Sequence, residues 1–160
     1  RRAAEVTGRG TGVDDAMLEH KIEVVACALR RAAPAVDSGD AIAVLTELGG
    51  LEIAALTGFV IAGAAARVPV VVDGVIALAA TCVAARVVPR AIDFCFAGHR
   101  STEPAANIAL DHLGLQPLLD LGMRLGEGTG ACLALPLLEA SARILREMAT
   151  FDSAGVTEKT

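Results

Sequence analysis

The segment VPVVVDG at positions 68–74 constrains the fold of this chain most. It is a short apolar run that ends in Asp73, and strands buried on both faces of a parallel sheet have this composition. A helical pattern follows over 75–87, then a second strand over Asp93–Ala97 and another helix over 103–114. Strand, helix, strand and helix in this order predict an α/β layered domain with short parallel strands.

The remaining helices are predicted from apolar spacing and from start and stop residues. Hydrophobic residues make up 54% of the chain and aromatic residues only 2%. We therefore expect Ala-rich helices around a core of Ala, Val, Leu and Ile, while 117–125 fits a strand or a helix. The further helices are expected over about 15–32, 40–48, 51–66 and 129–148, the last with a kink at Pro136.

Composition argues against two classes of partner. The net charge is −5, the charges of both signs are interspersed, and few aromatic side chains are available to stack on bases. These features are not those of a nucleic-acid-binding surface. The longest uncharged apolar run, 53–66, is shorter than the roughly 18–20 residues of a membrane-spanning helix. Neither a nucleic acid nor a membrane is expected as a partner.

The four cysteines, at 27, 82, 95 and 132, are widely spaced and contain no CxxC pair. Each has apolar neighbours, which is typical of a small buried hydrophobe in a reducing, cytoplasmic setting. Cys95 and His99 are four residues apart, but a zinc site needs more ligands than these two. No metal site and no other cofactor are expected.

A Gly-rich loop, TGRGTG at 7–12, precedes the first long helix. Backbone N–H groups without side chains around them suit a phosphate, so Gly8, Gly10 and Gly12 are candidate binding residues. The loop is not a Walker sequence, it matches a dinucleotide fingerprint poorly, and a plain tight turn explains it equally well. Lys21 lies in an apolar row of the helix, either as a rim lysine or as an ammonium aimed at an anion.

Two further candidates follow the predicted strands, where parallel α/β folds bind ligands. Asp73 either binds a ribose hydroxyl or caps the next helix. In AGHRSTEPA, at 97–105, Ser101 or Thr102 either caps a helix or helps hold a phosphate there. His99 is interpreted as a turn residue.

Glu127 stands between Gly126 and Gly128 in LGEGTG. A glutamate before a helix is favourable with the helix dipole, but that role requires no flanking glycines. If Thr129 caps the helix, Glu127 is free for other work. A carboxylate in a confined apolar site suits a general base. Gly126 and Gly128 would clear space for a group that the carboxylate touches, so they are candidate substrate-binding residues.

Six segments, spread in order over nearly the whole chain, resemble the nicotinate-nucleotide–dimethylbenzimidazole phosphoribosyltransferase family in its C-terminal part. LGEGTG with GHRSTEPA upstream is the most specific combination. The six segments are GRGTGVDD with its following Lys, LGGLEIAALTGF, VPVVVDG, GHRSTEPA, LDLGMRLGEGTGA with LPLLEA, and MATFDSAGV.

The resemblance implies transfer of the 5-phosphoribosyl group of nicotinate mononucleotide to 5,6-dimethylbenzimidazole, a step of cobalamin nucleotide-loop assembly. It makes Glu127 the general base, and Lys21 and Ser101 substrate-binding residues. It also implies a Rossmann-like sheet, a homodimer, and two regions. Residues 1–137 would belong to the large α/β domain, and 138–160 would contribute to a small helical domain.

One departure from the family pattern limits this expectation. The family carries an upstream Gly-Glu-Met-Gly motif ending in Asn-Thr-Thr, which adds a second active-site glutamate, and this sequence lacks it. We therefore expect an incomplete fragment of the fold that is inactive by itself. The alternatives are a non-catalytic nucleotide-phosphate-binding α/β domain and a dinucleotide-binding half-domain of an oxidoreductase.

Overall fold

A computed structural model describes residues 2–10 and 12–155 of the chain. Within these residues, helices alternate with strands in the second half and follow one another in the first. In chain order the elements are α1 Ala3–Val6, α2 Asp15–Arg31, α3 Ala33–Ser38, α4 Ala41–Leu48, α5 Leu51–Ala65, β1 Val70–Val72, α6 Val75–Val87, a 3₁₀ helix Pro89–Phe94, β2 Cys95–His99, α7 Pro104–Leu113, β3 Pro117–Leu119 and α8 Thr129–Glu147.

The three strands form one parallel sheet in the order β1–β2–β3. The register places Val70–Val72 of β1 beside Cys95–Ala97 of β2, and His99 of β2 beside Leu119 of β3. Helix α6 lies between β1 and β2 in the chain, and α7 lies between β2 and β3. Parallel neighbours require such crossovers, so the predicted α/β fold with short parallel strands is confirmed.

The second strand differs from its predicted position. It was expected over Asp93–Ala97, whereas β2 runs from Cys95 to His99 and the preceding residues form a 3₁₀ helix that begins at Pro89. The apolar pattern extends back into Ile92 and Phe94, which belong to the 3₁₀ helix, and Ile92 packs on the core from there, so periodicity does not locate the strand. In the ambiguous segment 117–125, only the first three residues are a strand.

The core consists of small side chains packed between the sheet and its helices. Ala84, Ala91 and Ala106 are fully buried, and the largest apolar residues among them are Leu78 and Leu110. Helix α6 packs against both α5 and α7. Because the core has few large aromatic side chains, it reaches its packing density by close approach of the helix and strand backbones.

Helix α8 runs without a break through Pro136 and across the proposed domain boundary at 137/138. Its first half packs on the sheet through Gly130 and Ala134, whereas every residue from Glu139 to Gly155 is exposed. The division into 1–137 and 138–160 stays a prediction, and its last five residues lie outside the described part. Among the described helices, none is long and apolar enough to cross a membrane.

The cysteines are all free, but their environments differ from the expectation of uniform burial. Cys95 is buried and Cys82 is half-buried, while Cys27 and Cys132 are exposed. Burial raises the pKa of the Cys95 and Cys82 thiols, because desolvation disfavours the thiolate.

Candidate active site

A cavity of about 510 Å³ opens at the carboxyl ends of β1 and β2. Parallel α/β sheets bind ligands at this edge. Its polar lining combines three carboxylates, one hydroxyl and one guanidinium, from Asp73, Glu103, Glu127, Ser101 and Arg124.

The cavity brings together five of the nine predicted site residues. Glu127, its two neighbouring glycines, Asp73 and Ser101 all line it. Lys21 and the glycines at 8, 10 and 12 are not among its lining residues. The sequence therefore identified the side of the cavity formed by the strand ends and the LGEGTG segment.

Glu127 lies at the centre of a left-handed turn. The φ angles of Gly126, Glu127 and Gly128 are +73°, +56° and +80°, in the region that L-residues rarely adopt. A Cβ placed on Gly126 or Gly128 would meet no atom within 4 Å. Glycine is therefore favoured at these positions by backbone conformation and not by lack of space.

The sequence predicted a confined, apolar site for the Glu127 carboxylate. In this structure the side chain is exposed instead. Its position is consequently set by the backbone of the turn and not by side-chain packing. A non-glycine residue at positive φ in a cavity wall is a strained conformation of the kind that clusters at functional sites.

Asp73 holds the turn from the end of β1. Its Oδ2 accepts the N–H of Gly128 at 3.1 Å, and its Oδ1 accepts the N–H of Ala131 at 3.0 Å. Of the two alternatives for Asp73, the one in which it caps the next helix is therefore wrong, because Asp73 caps α8 instead. Helix α6 begins at Val75, and its N-cap Gly74 has no side chain. Thr129 is the first residue of α8 and not its cap.

His99 is the last residue of β2, and its interpretation as a turn residue is wrong. It is 2% exposed, and its Nδ1 lies 3.3 Å from Asp73 Oδ1, although no well-aligned hydrogen bond joins the two atoms. The imidazole lies directly against Gly130, where any Cβ would collide with the ring.

Gly98 permits the same close approach from the strand side. A Cβ there would lie 2.9 Å from Ala131 Cα and 3.0 Å from Gly130 O. The end of β2 and the start of α8 therefore touch backbone to backbone.

Ser101 is buried at 3% exposure, and its Oγ accepts the N–H of Glu103 at 3.3 Å. Helix α7 begins at Pro104 with Glu103 as its N-cap, so neither Ser101 nor Thr102 occupies the predicted cap position. A serine hydroxyl accepts and donates at once. The bond to Glu103 uses the acceptor side, which leaves the hydroxyl proton for a ligand in the cavity.

The Gly-rich loop lies beside this site without lining it. Gly8 packs directly against the Glu103 carboxylate. The Lys21 ammonium donates to the carbonyl oxygens of Gly8 at 2.8 Å and Arg9 at 3.1 Å, so it binds the loop itself. Gly10 and Gly12 adopt φ of +71° and +72°, a conformation that favours glycine and fits the tight-turn interpretation.

Sequence reasoning missed two features of the cavity. Arg124 supplies the only guanidinium among the described lining residues and lies 4.0 Å from the Glu103 carboxylate. The first turn of α6, residues 75–77, lines the cavity without a side-chain cap, so its N–H groups are available to an anion. The sequence signal for this free helix N-terminus was the glycine in VVVDGVIA, because Gly74 has no side chain with which to cap α6.

Comparison with known proteins identifies the family of this chain. A family model described as phosphoribosyltransferase matches residues 1–156. The nicotinate-nucleotide–dimethylbenzimidazole phosphoribosyltransferase of Salinispora tropica is 58% identical over 98% of this chain and 42% of its own length. That of Chloroflexus aurantiacus is 55% identical over 99% of this chain and 45% of its own.

Solved structures give the same result. The nicotinate-nucleotide–dimethylbenzimidazole phosphoribosyltransferase of Thermus thermophilus superposes with a TM-score of 0.87 at 43% identity, over 98% of this chain and 45% of its own. A second structure, titled CobT from the same organism, gives 0.90 at 46% identity and covers 98% of this chain and 46% of its own. The chain thus spans less than half the length of these relatives, and it belongs to the nicotinate-nucleotide–dimethylbenzimidazole phosphoribosyltransferase family.

Proposed function

We propose that the protein transfers the 5-phosphoribosyl group of nicotinate mononucleotide to 5,6-dimethylbenzimidazole, with Glu127 as the general base. The products are α-ribazole 5′-phosphate and nicotinate, with inversion at the anomeric carbon. The observation that carries the proposal is the place of Glu127, at the rim of a cavity beyond the strand ends, in a chain of this family.

The proposed reaction needs one base and little acid. The unprotonated ring nitrogen of the benzimidazole bonds to C1′ as the bond from C1′ to the pyridinium nitrogen breaks. The electron pair of that bond returns to nicotinate, whose ring leaves neutral. The other benzimidazole nitrogen must lose its proton, and Glu127 takes it.

Side-chain charge alone does not explain how the substrate phosphate would be bound. Three carboxylates against one guanidinium leave the described lining acidic, so we assign the phosphate to hydrogen-bond donors. The donors are the Ser101 hydroxyl and the first turn of α6, with Arg124 as the nearby cation.

Lys21, Gly8, Gly10 and Gly12 remain proposed as substrate-binding residues. An ammonium has three N–H donors, and the loop carbonyls use two of them. Contact between Gly8 and Glu103 places the loop next to the cavity edge. We keep the same proposal for Asp73, since a carboxylate with two bonds can still accept a third.

Two further proposals concern the compartment, which follows from the cysteines, and the oligomeric state, which follows from the resemblance to the family. We propose that the protein is cytoplasmic, in agreement with its four free cysteines, since thiols stay reduced in that compartment. We also propose a homodimer, and the exposed apolar side chains of the second half of α8, such as Leu145 at 87% exposure, are available for such a contact.

The test is Glu127→Gln in the full-length protein, with product formation followed by chromatography and nucleotide binding by calorimetry. Loss of α-ribazole phosphate formation with retained nucleotide binding supports the base assignment. Glu139→Gln is the matched control, because Glu139 is an exposed carboxylate on the helix that follows the turn. Unchanged turnover of the Glu127 variant refutes the assignment. Nucleotide binding without turnover by the unaltered protein would favour the non-catalytic alternative.

A further inference from the structure

We infer that Asp73 and His99 are positioning residues for Glu127, acting through the backbone of the left-handed turn. This inference rests on the proposed function, in which Glu127 is the base. Neither side chain needs to touch substrate for this role. Asp73 holds the turn, and His99 limits where the Asp73 carboxylate can lie.

Asp73 connects the sheet to the turn directly. It follows the last residue of β1, and it is 9% exposed, so its carboxylate is fixed by buried surroundings. Its two oxygens accept N–H groups of Gly128 and Ala131, one next to Glu127 and one in the first turn of α8. Hydrogen bonds that N–H groups at a helix start donate to a carboxylate are charge-assisted, and they are stronger than hydrogen bonds between neutral groups.

His99 closes the other side of Asp73. The imidazole is buried between the end of β2, Gly130 of α8 and the Asp73 carboxylate. Its Nδ1 lies closest to the same oxygen that accepts the Ala131 N–H. Because β2 and α8 meet there without side chains, a shift of the imidazole would move Asp73 or α8.

Glu127 needs this support because little else fixes it. The residue has positive φ, an exposed side chain and flexible neighbours, since Gly126 and Gly128 have no Cβ. Without the Asp73 bonds, the segment can relax to many other backbone conformations. The carboxylate would then lose its fixed position relative to the cavity, and misplacement of a catalytic group by about 1 Å costs about 10²-fold in rate.

A double-mutant cycle in the full-length protein tests the inference. Asp73→Ala is expected to lower kcat by about 10²-fold, as for a misplaced base, and any rise in KM from a lost substrate contact should be smaller than this loss of kcat. In the Glu127→Gln background the same substitution should cost nothing further, because no base remains to be positioned. Asp73→Asn, which retains one acceptor oxygen, should recover part of kcat, and His99→Asn should lower kcat in the same way.

Hydrogen exchange of the segment 126–132 gives a readout independent of turnover. Faster exchange of Gly128 and Ala131 N–H groups in Asp73→Ala is expected. Thr81→Val is the matched control for general destabilisation, since Thr81 is buried and bonded within α6, away from the turn. If Asp73→Ala does not fold, Asp73→Asn carries the same measurements.

Three results would overturn the inference. A raised KM with kcat retained would make Asp73 a substrate contact alone and not a positioning residue. Full additivity with Glu127→Gln would make it independent of the base. Unaltered exchange of the turn would show that Asp73 does not hold it. Activity retained in Glu127→Gln would instead refute the proposed function, and the exchange data would still decide whether Asp73 holds the turn.

Discussion

Alanine at Gly126 or Gly128 is expected to destabilise the protein, although a Cβ at either position meets no atom within 4 Å. The reason is the backbone, because both residues have φ above +70°. A left-handed conformation costs an L-residue roughly 1–2 kcal/mol. Loss of glycine freedom in the unfolded chain offsets about 0.4–1 kcal/mol, so each variant should lose about 1 kcal/mol.

Glu127→Gly should have the opposite sign. Glycine removes the cost of φ +56°, and the entropy of the unfolded chain opposes part of this gain. The expected change lies between zero and about 1.5 kcal/mol of stabilisation. The variant should lack transferase activity, so position 127 would be one at which function and stability oppose each other.

Urea or thermal unfolding measures these changes, and about 1 kcal/mol corresponds to roughly 2–4 °C in Tm for a domain of this size. Gly58→Ala is the matched control, because Gly58 also has open space around its Cβ position but lies inside α5. It should stabilise by about 0.5–1 kcal/mol. If alanine at 126 and 128 stabilises as it does at 58, or if Glu127→Gly destabilises, the left-handed turn is refuted.

Two further predictions concern the thiols and the length of the chain. A thiol-specific reagent near neutral pH should label Cys27 and Cys132 first, because burial raises the pKa of Cys82 and Cys95 and leaves them less thiolate. The labelling rates of Cys82 and Cys95 should rise only at higher pH. Peptide mass spectrometry measures the rate at each cysteine, and equal rates for all four cysteines would contradict this prediction. The isolated 160 residues should form little or no α-ribazole phosphate from nicotinate mononucleotide, and sustained turnover by them would contradict this second prediction.

The sequence predicted the fold where the pattern was local. Residues 75–87 form α6 as expected, and the parallel arrangement follows from strands that alternate with helices. The end of β2 was missed, because Gly98 and His99 resemble a turn in the sequence. Their strand conformation depends on the backbone of α8, which packs against Gly98 from a distant part of the chain.

The candidate site was predictable as a set of residues but not as a set of contacts. Glu127, Asp73 and Ser101 line one cavity, and the positions of Asp73 and Ser101 after strands suggested this. The pairing of Asp73 with N–H groups 55 and 58 residues away carries no local signal. Similarly, the apolar row around Lys21 gave no indication that its ammonium binds the carbonyls of the preceding loop.

The exposed side chain of Glu127 bears on the proposed chemistry, because the longer relatives have additional protein that could cover this position. Proton transfer from the benzimidazole ring to a carboxylate is most effective where water is excluded, yet in the described structure the Glu127 side chain faces solvent. The proposed reaction therefore requires a cover over the turn, either the bound substrates or protein from outside these 160 residues. The relatives are more than twice as long as the segment they share with this chain, which favours protein as at least part of that cover. In that arrangement the left-handed turn would present the proposed base, Asp73 would hold the turn, and the covering protein would exclude water from it.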